Sequence, residues 1–234
     1  MTFKDMVVLY EKKKDKFGTE AYKHVSKVLD EAKELHRKDW LKNPTPQRDY
    51  EQSWKGFKGR NLERLIIYII KDEVESLGLK IVSGNTLEQK KPENLSEELS
   101  KIKRAVSINY GEFGLHLPDA DVIIYNPKNL KVIAILSSKS SMRERVSETG
   151  YWKIKLSQDP VTRNIRLLLV TPDLDGDLTY KFPTKKNRAI VEVDTDGGYV
   201  MSEAKIEETN KVKMFDKFIE DLRKFVKDRE ENKQ

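Results

Sequence analysis

The residues of this chain best suited to chemistry are two carboxylates and a lysine at the ends of two short apolar runs. Asp119 and Asp121 stand before the run Val122 to Tyr125, and a turn of Asn126, Pro127, Lys128 and Asn129 follows. A second run, Val132 to Leu136, ends in Ser137-Ser138-Lys139. Short β-branched runs separated by Asn and Pro turn chemistry predict two adjacent strands. Pairing them would bring an acid at the start of the first strand close to the lysine at the end of the second. A carboxylate can hold a divalent metal ion and a nearby ammonium can orient or activate a water, so the pair suits phosphodiester hydrolysis. Solvated strand ends would carry the same residue types, and spacing alone does not separate the two readings.

The surrounding elements must position these groups. Val7, Val8 and Tyr10, then Tyr22, Val25, Val28, Leu29, Ala32 and Leu35, recur at helical spacing. They predict two helices over 3–40, hinged at Gly18 within EKKKDKFGTE and ended by Asn43, Pro44, Thr45 and Pro46. A third helix is predicted from about Gly59 to Leu77, burying Leu62, Leu65, Ile66, Ile69 and Ile70, with Gly78 as its cap and a short strand over 79–82. Residues 84–98 are polar and predict a surface loop. The two site strands are expected over 120–126 and 131–138, a helix over 142–156, strands over 165–171 and 189–194, and a charged helix over 204–230. The run DLDGD, Asp173 to Asp177, begins like a calcium loop but has Thr184 at the twelfth position, which predicts a turn instead. Two regions are expected: an N-terminal helical arm over 1–50 and a catalytic domain over 51–234.

Composition narrows the chemistry. With no cysteine there are neither disulfides nor thiolate metal sites, which favours a reducing, cytoplasmic setting. His24, His36 and His116 show no metal-ligand spacing, so a metal would be held by oxygen, pointing to Mg2+ or a similar hard ion. No apolar run reaches the length of a membrane span and the start does not read as a signal peptide, so a soluble protein is expected. The net charge of +6, from 45 basic and 39 acidic residues, decides little unless it clusters. A charged fraction of 36% also fits a thermophile's surface.

An acid followed roughly twenty residues later by Ser137-Ser138-Lys139 at a strand end resembles the PD-(D/E)xK nuclease core. With Ser137 in place of the usual second acid, and Arg143-Glu144-Arg145 after it, the pattern resembles type II restriction endonucleases of the BsaWI-like, CCGG-reading group. The resemblance is strong over 118–156, weaker over 54–70, and absent at both ends. It implies an α/β restriction-endonuclease-like fold with a central mixed sheet flanked by helices, plus the N-terminal arm. It also implies Mg2+-dependent cleavage of double-stranded DNA at a short palindromic site containing G·C pairs. Palindromic sites are normally read by two-fold dimers, which makes a homodimer the expectation.

Under that resemblance either acid could bridge the metal: the Pro-Asp dipeptide favours Asp119, and an acid followed directly by aliphatic residues favours Asp121, the preferred position. Lys139 would stabilise charge at the scissile phosphate and position the attacking water. Ser137 is a poorer ligand than a carboxylate, and Glu148 is the candidate to replace the missing acid from the following helix. Glu63, within GRNLERLIIYII, would point at the metal from the first core helix, or would pair with Arg60 or Arg64 on an exposed face. Arg143 and Arg145 can each bond guanine O6 and N7, and Glu144 can accept from cytosine N4, so this run could read a G·C step. Lys55, Lys58 and Arg60, interleaved with Trp54 and Phe57, are candidate phosphate contacts. The rival readings are a repair or junction nuclease of the same fold without sequence specificity, and a non-catalytic DNA-binding module.

Overall fold

The structure, a computed structural model, describes residues 1–44, 49–89, 94–142 and 145–231. The N-terminal periodicity resolves into α1 (Phe3–Phe17) and α2 (Val25–Lys42). Asp5 caps α1 by accepting from the Thr2 amide at 2.6 Å, and Gly18, at φ 57°, breaks the chain into the short 3-10 turn Gly18–His24. The third helix, α3 (Tyr50–Ser76), starts well before the expected Gly59. The Asp49 carboxylate accepts from the Gln52 amide at 2.8 Å and caps the new start. Trp54 thereby joins Leu62, Leu65, Ile66, Ile70 and Val74 on one buried face.

Beyond α3 the chain forms β1 (Lys80–Ser83), α4 (Gly84–Gln89), α5 (Glu97–Val106) and a small hairpin of β2 (Ile108–Asn109) and β3 (Leu115–His116). The two predicted site strands are β4 (Val122–Asn126) and β5 (Lys131–Ser138). There follow α6 (Arg145–Gln158), β6 (Arg166–Thr171), α7 (Lys186–Asp194), β7 (Gly197–Val200), β8 (Val212–Met214) and α8 (Phe218–Glu231). The strands order as β1-β4-β5-β6-β7-β8. The pairs β1–β4 and β4–β5 are antiparallel and β5 through β8 are parallel, so the central sheet is mixed and flanked by helices, as expected.

Side-chain alternation along the strands divides the core between two faces. Val122, Ile124, Ala134 and Leu136 pack into one cluster with α1, α2, α3 and Phe218 and Leu222 of α8. Ile123, Ile135 and Leu167 pack on the other side with Ile102, Val106 and Leu156 of α5 and α6. The N-terminal helices thus share a continuous apolar core with the sheet. Among the described residues, no helix is long and apolar enough to cross a membrane.

Three expectations are corrected. Residues 84–98 are not all loop: Gly84–Gln89 form α4, anchored by the fully buried Leu87, and α5 begins at Glu97 behind the Ser96 cap. Residues 189–194 are helix, not strand. Arg188, wholly buried, donates to the carbonyls of Leu178 and Glu207, which ties α7 to the loop before it and to the loop after β7. The strand position beside β6 belongs to Gly197–Val200, where a Cβ on Gly198 would lie 2.8 Å from Val191. Only a glycine there lets the helix press that closely on the strand. The charged helix expected over 204–230 begins at Phe218, because Val212 is taken by β8, which pairs with β7.

Gly84 fixes the edge of the sheet where the site lies. Its amide donates to the Asp121 carbonyl at 3.1 Å, and a Cβ added to it would sit 1.5 Å from the Ala120 carbonyl oxygen. A backbone atom cannot yield that distance locally, so the segment carrying Asp119 to Asp121 would have to move. Gly84→Ala is expected to destabilise the fold by about 1–3 kcal/mol, read as a lowered urea midpoint. An unchanged midpoint would mean that this edge is not packed as described.

Candidate active site

The antiparallel register Val122↔Leu136 sets Asp121, just before β4, across from the end of β5. The Asp121 amide donates to the Leu136 carbonyl at 3.2 Å, and the Asp121 carboxylate accepts from the Ser138 amide at 2.5 Å. The Lys139 amide donates to the Val170 carbonyl at 3.2 Å, which locks this residue to β6. Its ammonium then donates to the Asp119 carboxylate at 2.8 Å and lies 3.6 Å from that of Asp121. Lys139 is only 1% exposed, whereas the Asp119 side chain is 38% exposed and faces the mouth. The expected meeting of both acids with this lysine is therefore present in the fold.

Glu63 reaches the same point from α3, hydrogen-bonded to the Asp121 carboxyl. Burial, and next the negative charge of Asp121, push its acid pKa up to about 8, with Asp119 adding to the rise and Lys139 offsetting part of it. Asp121 is raised as well, chiefly by burial, against the stabilising ammonium of Lys139 and the Ser138 N–H. The site thus gathers more carboxyl groups than one lysine could neutralise if all were ionised, and Glu63 is held largely protonated at neutral pH.

A cleft of about 520 Å³ opens over these groups. Glu63, Asp119 and Asp121 line it together with Arg60, Arg145 and Glu148. Arg145 and Glu148 are exposed on the first turn of α6, one turn apart on the same face. Ser137 is placed differently: its buried hydroxyl is 3.1 Å from the Thr149 hydroxyl and serves to join β5 to α6. Lys55 and Lys58 are on α3 but outside the cleft lining; Lys55 is two turns, about 12 Å, before Glu63 on the same face. Arg143 and Glu144 lie outside the described residues.

The cleft also takes residues that the sequence reading passed over. Asn85 and Glu88 enter from α4, and Trp152 enters from α6. The buried Leu87 between two polar neighbours was the one available sign of α4. Thr149 could not be found from sequence, since a threonine in an ordinary helix carries no mark of its partner.

The donor chemistry fits a hard cation. Five carboxylates, those of Glu63, Glu88, Asp119, Asp121 and Glu148, face one cleft with no histidine among its lining residues. The gathering of Glu63 with Asp119 and Asp121 around one ammonium supports the fit, because crowded acids gain from a divalent charge. Among the described residues, no three His, Cys, Asp or Glu side chains are already gathered tightly enough to cage an ion. The Lys139 ammonium holds the space between the two aspartates.

Residues 98–225 match the family model described as BsaWI restriction endonuclease type 2. The chain belongs to that family. It is accordingly an enzyme of the type II site-specific deoxyribonuclease class, whose members depend in general on divalent metal ions. The matched span holds Asp119, Asp121, Lys139 and Glu148 and leaves Glu63 outside. Among curated relatives, "Putative type II restriction enzyme MjaVIP" of Methanocaldococcus jannaschii is 42% identical over 212 residues, covering 85% of this chain and 92% of the relative. "Probable type II restriction enzyme HpyAORF263P" of Helicobacter pylori is 40% identical over 123 residues, covering 53% and 62%. Among solved structures, the BsaWI endonuclease in a pre-specific DNA complex superposes with a TM-score of 0.48 at 14% identity, covering 97% of this chain and 94% of that one. The PspGI endonuclease–substrate DNA complex gives 0.48 and 14%, covering 89% and 76%.

In this BsaWI-family chain the Ser137–Thr149 bond ties the lysine-bearing strand to the helix carrying Arg145 and Glu148. Thr149→Val keeps the volume but strands a buried hydroxyl on Ser137. It is expected to cost about 1–3 kcal/mol in urea denaturation, and no measurable cost would show that the hydroxyl pair does not join the two elements.

Proposed function

We propose that the chain is a Mg2+-dependent homodimeric endonuclease that cuts double-stranded DNA at a short palindrome containing G·C pairs. The observation that carries this reading is a buried lysine ammonium held between two aspartates under an acid-lined cleft, in a family of restriction endonucleases. Asp121 and Asp119 are the proposed metal ligands, with Glu148 supplying the acid that Ser137 cannot. Glu63 is held against Asp121 as a further acid of the same site. A hard divalent cation, when bound, supplies Lewis-acid stabilisation of the charge that develops on the phosphoryl oxygens. Lys139 stabilises that charge from the cleft floor and orients the attacking water, its position fixed by Asp119 and by its own backbone bond to β6.

Recognition falls to the start of α6. Arg145 is exposed there, lines the cleft, and follows Arg143 and Glu144 in the run suited to guanine and cytosine edges. Lys55, Lys58 and Arg60 on α3 are the proposed phosphate contacts. The N-terminal region 1–50 is proposed as a helical arm on the catalytic domain, and a two-fold dimer matches the symmetry of a palindrome. A cytoplasmic location follows from the same reading.

Two outcomes are expected. Lys139→Met and Asp121→Asn should each lower Mg2+-dependent cleavage of plasmid DNA at least a hundredfold while leaving DNA binding measurable. Full activity in Lys139→Met would remove the lysine from the mechanism, and full activity in Asp121→Asn would transfer its role to Asp119. Discrete plasmid fragments, in contrast to a smear, would separate a site-specific enzyme from a nonspecific nuclease, and the sequenced fragment ends would supply the site. On that site, Arg145→Lys should weaken binding about tenfold or more, because lysine keeps the charge but loses the planar fork. Equal losses on cognate and random DNA would reduce Arg145 to a phosphate contact.

A further inference from the structure

Between β6 and α7 the chain makes a long excursion, residues 172–185, which the catalytic reading leaves unused. Its base is built to be rigid. The buried Asp173 carboxylate accepts from the amides of Asp177 and Leu178 at 2.8 and 3.0 Å. Leu178 is fully buried beside Met142 and Val146, and Arg188 donates to its carbonyl. The Thr179 carbonyl accepts from the Glu207 amide at 2.8 Å.

Above this base the character changes abruptly. Residues 180–186, Tyr-Lys-Phe-Pro-Thr-Lys-Lys, are all exposed and contain three lysines and no acid. Tyr180 is 61% exposed and Phe182 is 74% exposed, with the Lys181 ammonium 5.4 Å from the Phe182 ring centre. Two large rings raised into water on a braced support, among cations, are features of a surface that meets an anionic, flat-faced partner.

The loop also stands in the right place. β5 and β6 are parallel with Ser138 beside Val170, so Lys139 and this loop leave the sheet at the same end. The Asp175 carboxylate accepts from the Met142 amide at 3.2 Å, and Met142 directly precedes the Arg143-Glu144-Arg145 run. The loop and the reading segment are therefore fastened to each other at their bases.

We infer that residues 179–186, the end of the loop and the first residue of α7, are a second DNA-contact element, with Lys181 and Lys186 on backbone phosphates and Phe182 on a sugar face or wedged at a base step beyond the bases read by α6. This rests on the DNA-cleaving function proposed above. Lysine–phosphate contacts release counterions and so steepen the salt dependence of binding, whereas a stacking contact is nearly independent of salt. The two parts can thus be separated in one titration.

The probe is a mixed-sequence duplex of about 30 base pairs, long enough to extend past the cleft, titrated in magnesium-free buffer at several salt concentrations. The double variant Lys181→Gln, Lys186→Gln should flatten the plot of log affinity against log salt by about two. Phe182→Ser should weaken binding about tenfold at every salt concentration. Because all three side chains are exposed, melting temperatures should match the wild type. A control pair on α1, Lys14→Gln with Lys16→Gln, should leave both quantities unchanged. Wild-type slope and affinity in the loop variants would overturn the inference while leaving the nuclease reading intact, as would equal losses in the α1 control. Failure of the wild-type protein to bind duplex DNA at all would bring down the nuclease reading and the inference with it.

Discussion

A lysine ammonium withdrawn almost entirely from water is the constraint around which this molecule is arranged. Burying a lone charge is prohibitive, and the arrangement holds only because Asp119 lies at 2.8 Å and Asp121 at 3.6 Å. That pairing depends on the antiparallel register of β4 with β5, which sets the acids of one strand against the end of the other. The register depends in turn on β1 at the edge, where Gly84 lets the chain pass against Ala120 without a side chain between them. A slip of one residue would send Asp121 to the opposite face and leave the ammonium without its partners.

The site draws its charged groups from both faces of the sheet. Glu63 arrives on α3, which packs with the N-terminal helices, and Glu148 arrives on α6 from the other side. They meet only beyond the ends of β4 and β5, where the sheet no longer separates its two faces. The concentration of acids there pushes Glu63 up to about 8, chiefly through burial and the charge of Asp121. An excess of carboxylates over cations makes a poor resting place for an anion but a good one for a divalent cation that can then hold a phosphate.

In the proposed function, helix α6 would connect recognition with catalysis. Arg145 and Glu148 face the cleft from its first turn, while Thr149, one residue further, is bonded to Ser137 of the lysine-bearing strand. The Asp175–Met142 bond ties the 172–185 excursion to the segment just before that helix. Under that proposal, displacement of Arg145 by DNA would be felt at β5 through the Thr149–Ser137 contact.

The sequence by itself determined the site strands, their acids and their lysine, because a β-branched run bounded by turn residues specifies a strand wherever it lies. It determined the buried face of α3 for a similar reason: a 3.6-residue apolar period is a local property. It misassigned 189–194, whose β-branched residues read as strand, because the outcome turned on where Arg188 could find carbonyls from Leu178 and Glu207, residues distant in sequence. The start of α8 was misplaced because Val212 had a strand to pair with only once β7 was in position. At the site, the side chain chosen by Ser137, the arrival of α4 and the elevation of Glu63 were likewise decided by tertiary structure. Each depends on how near groups from separate elements are brought, and neither propensity nor periodicity encodes that distance.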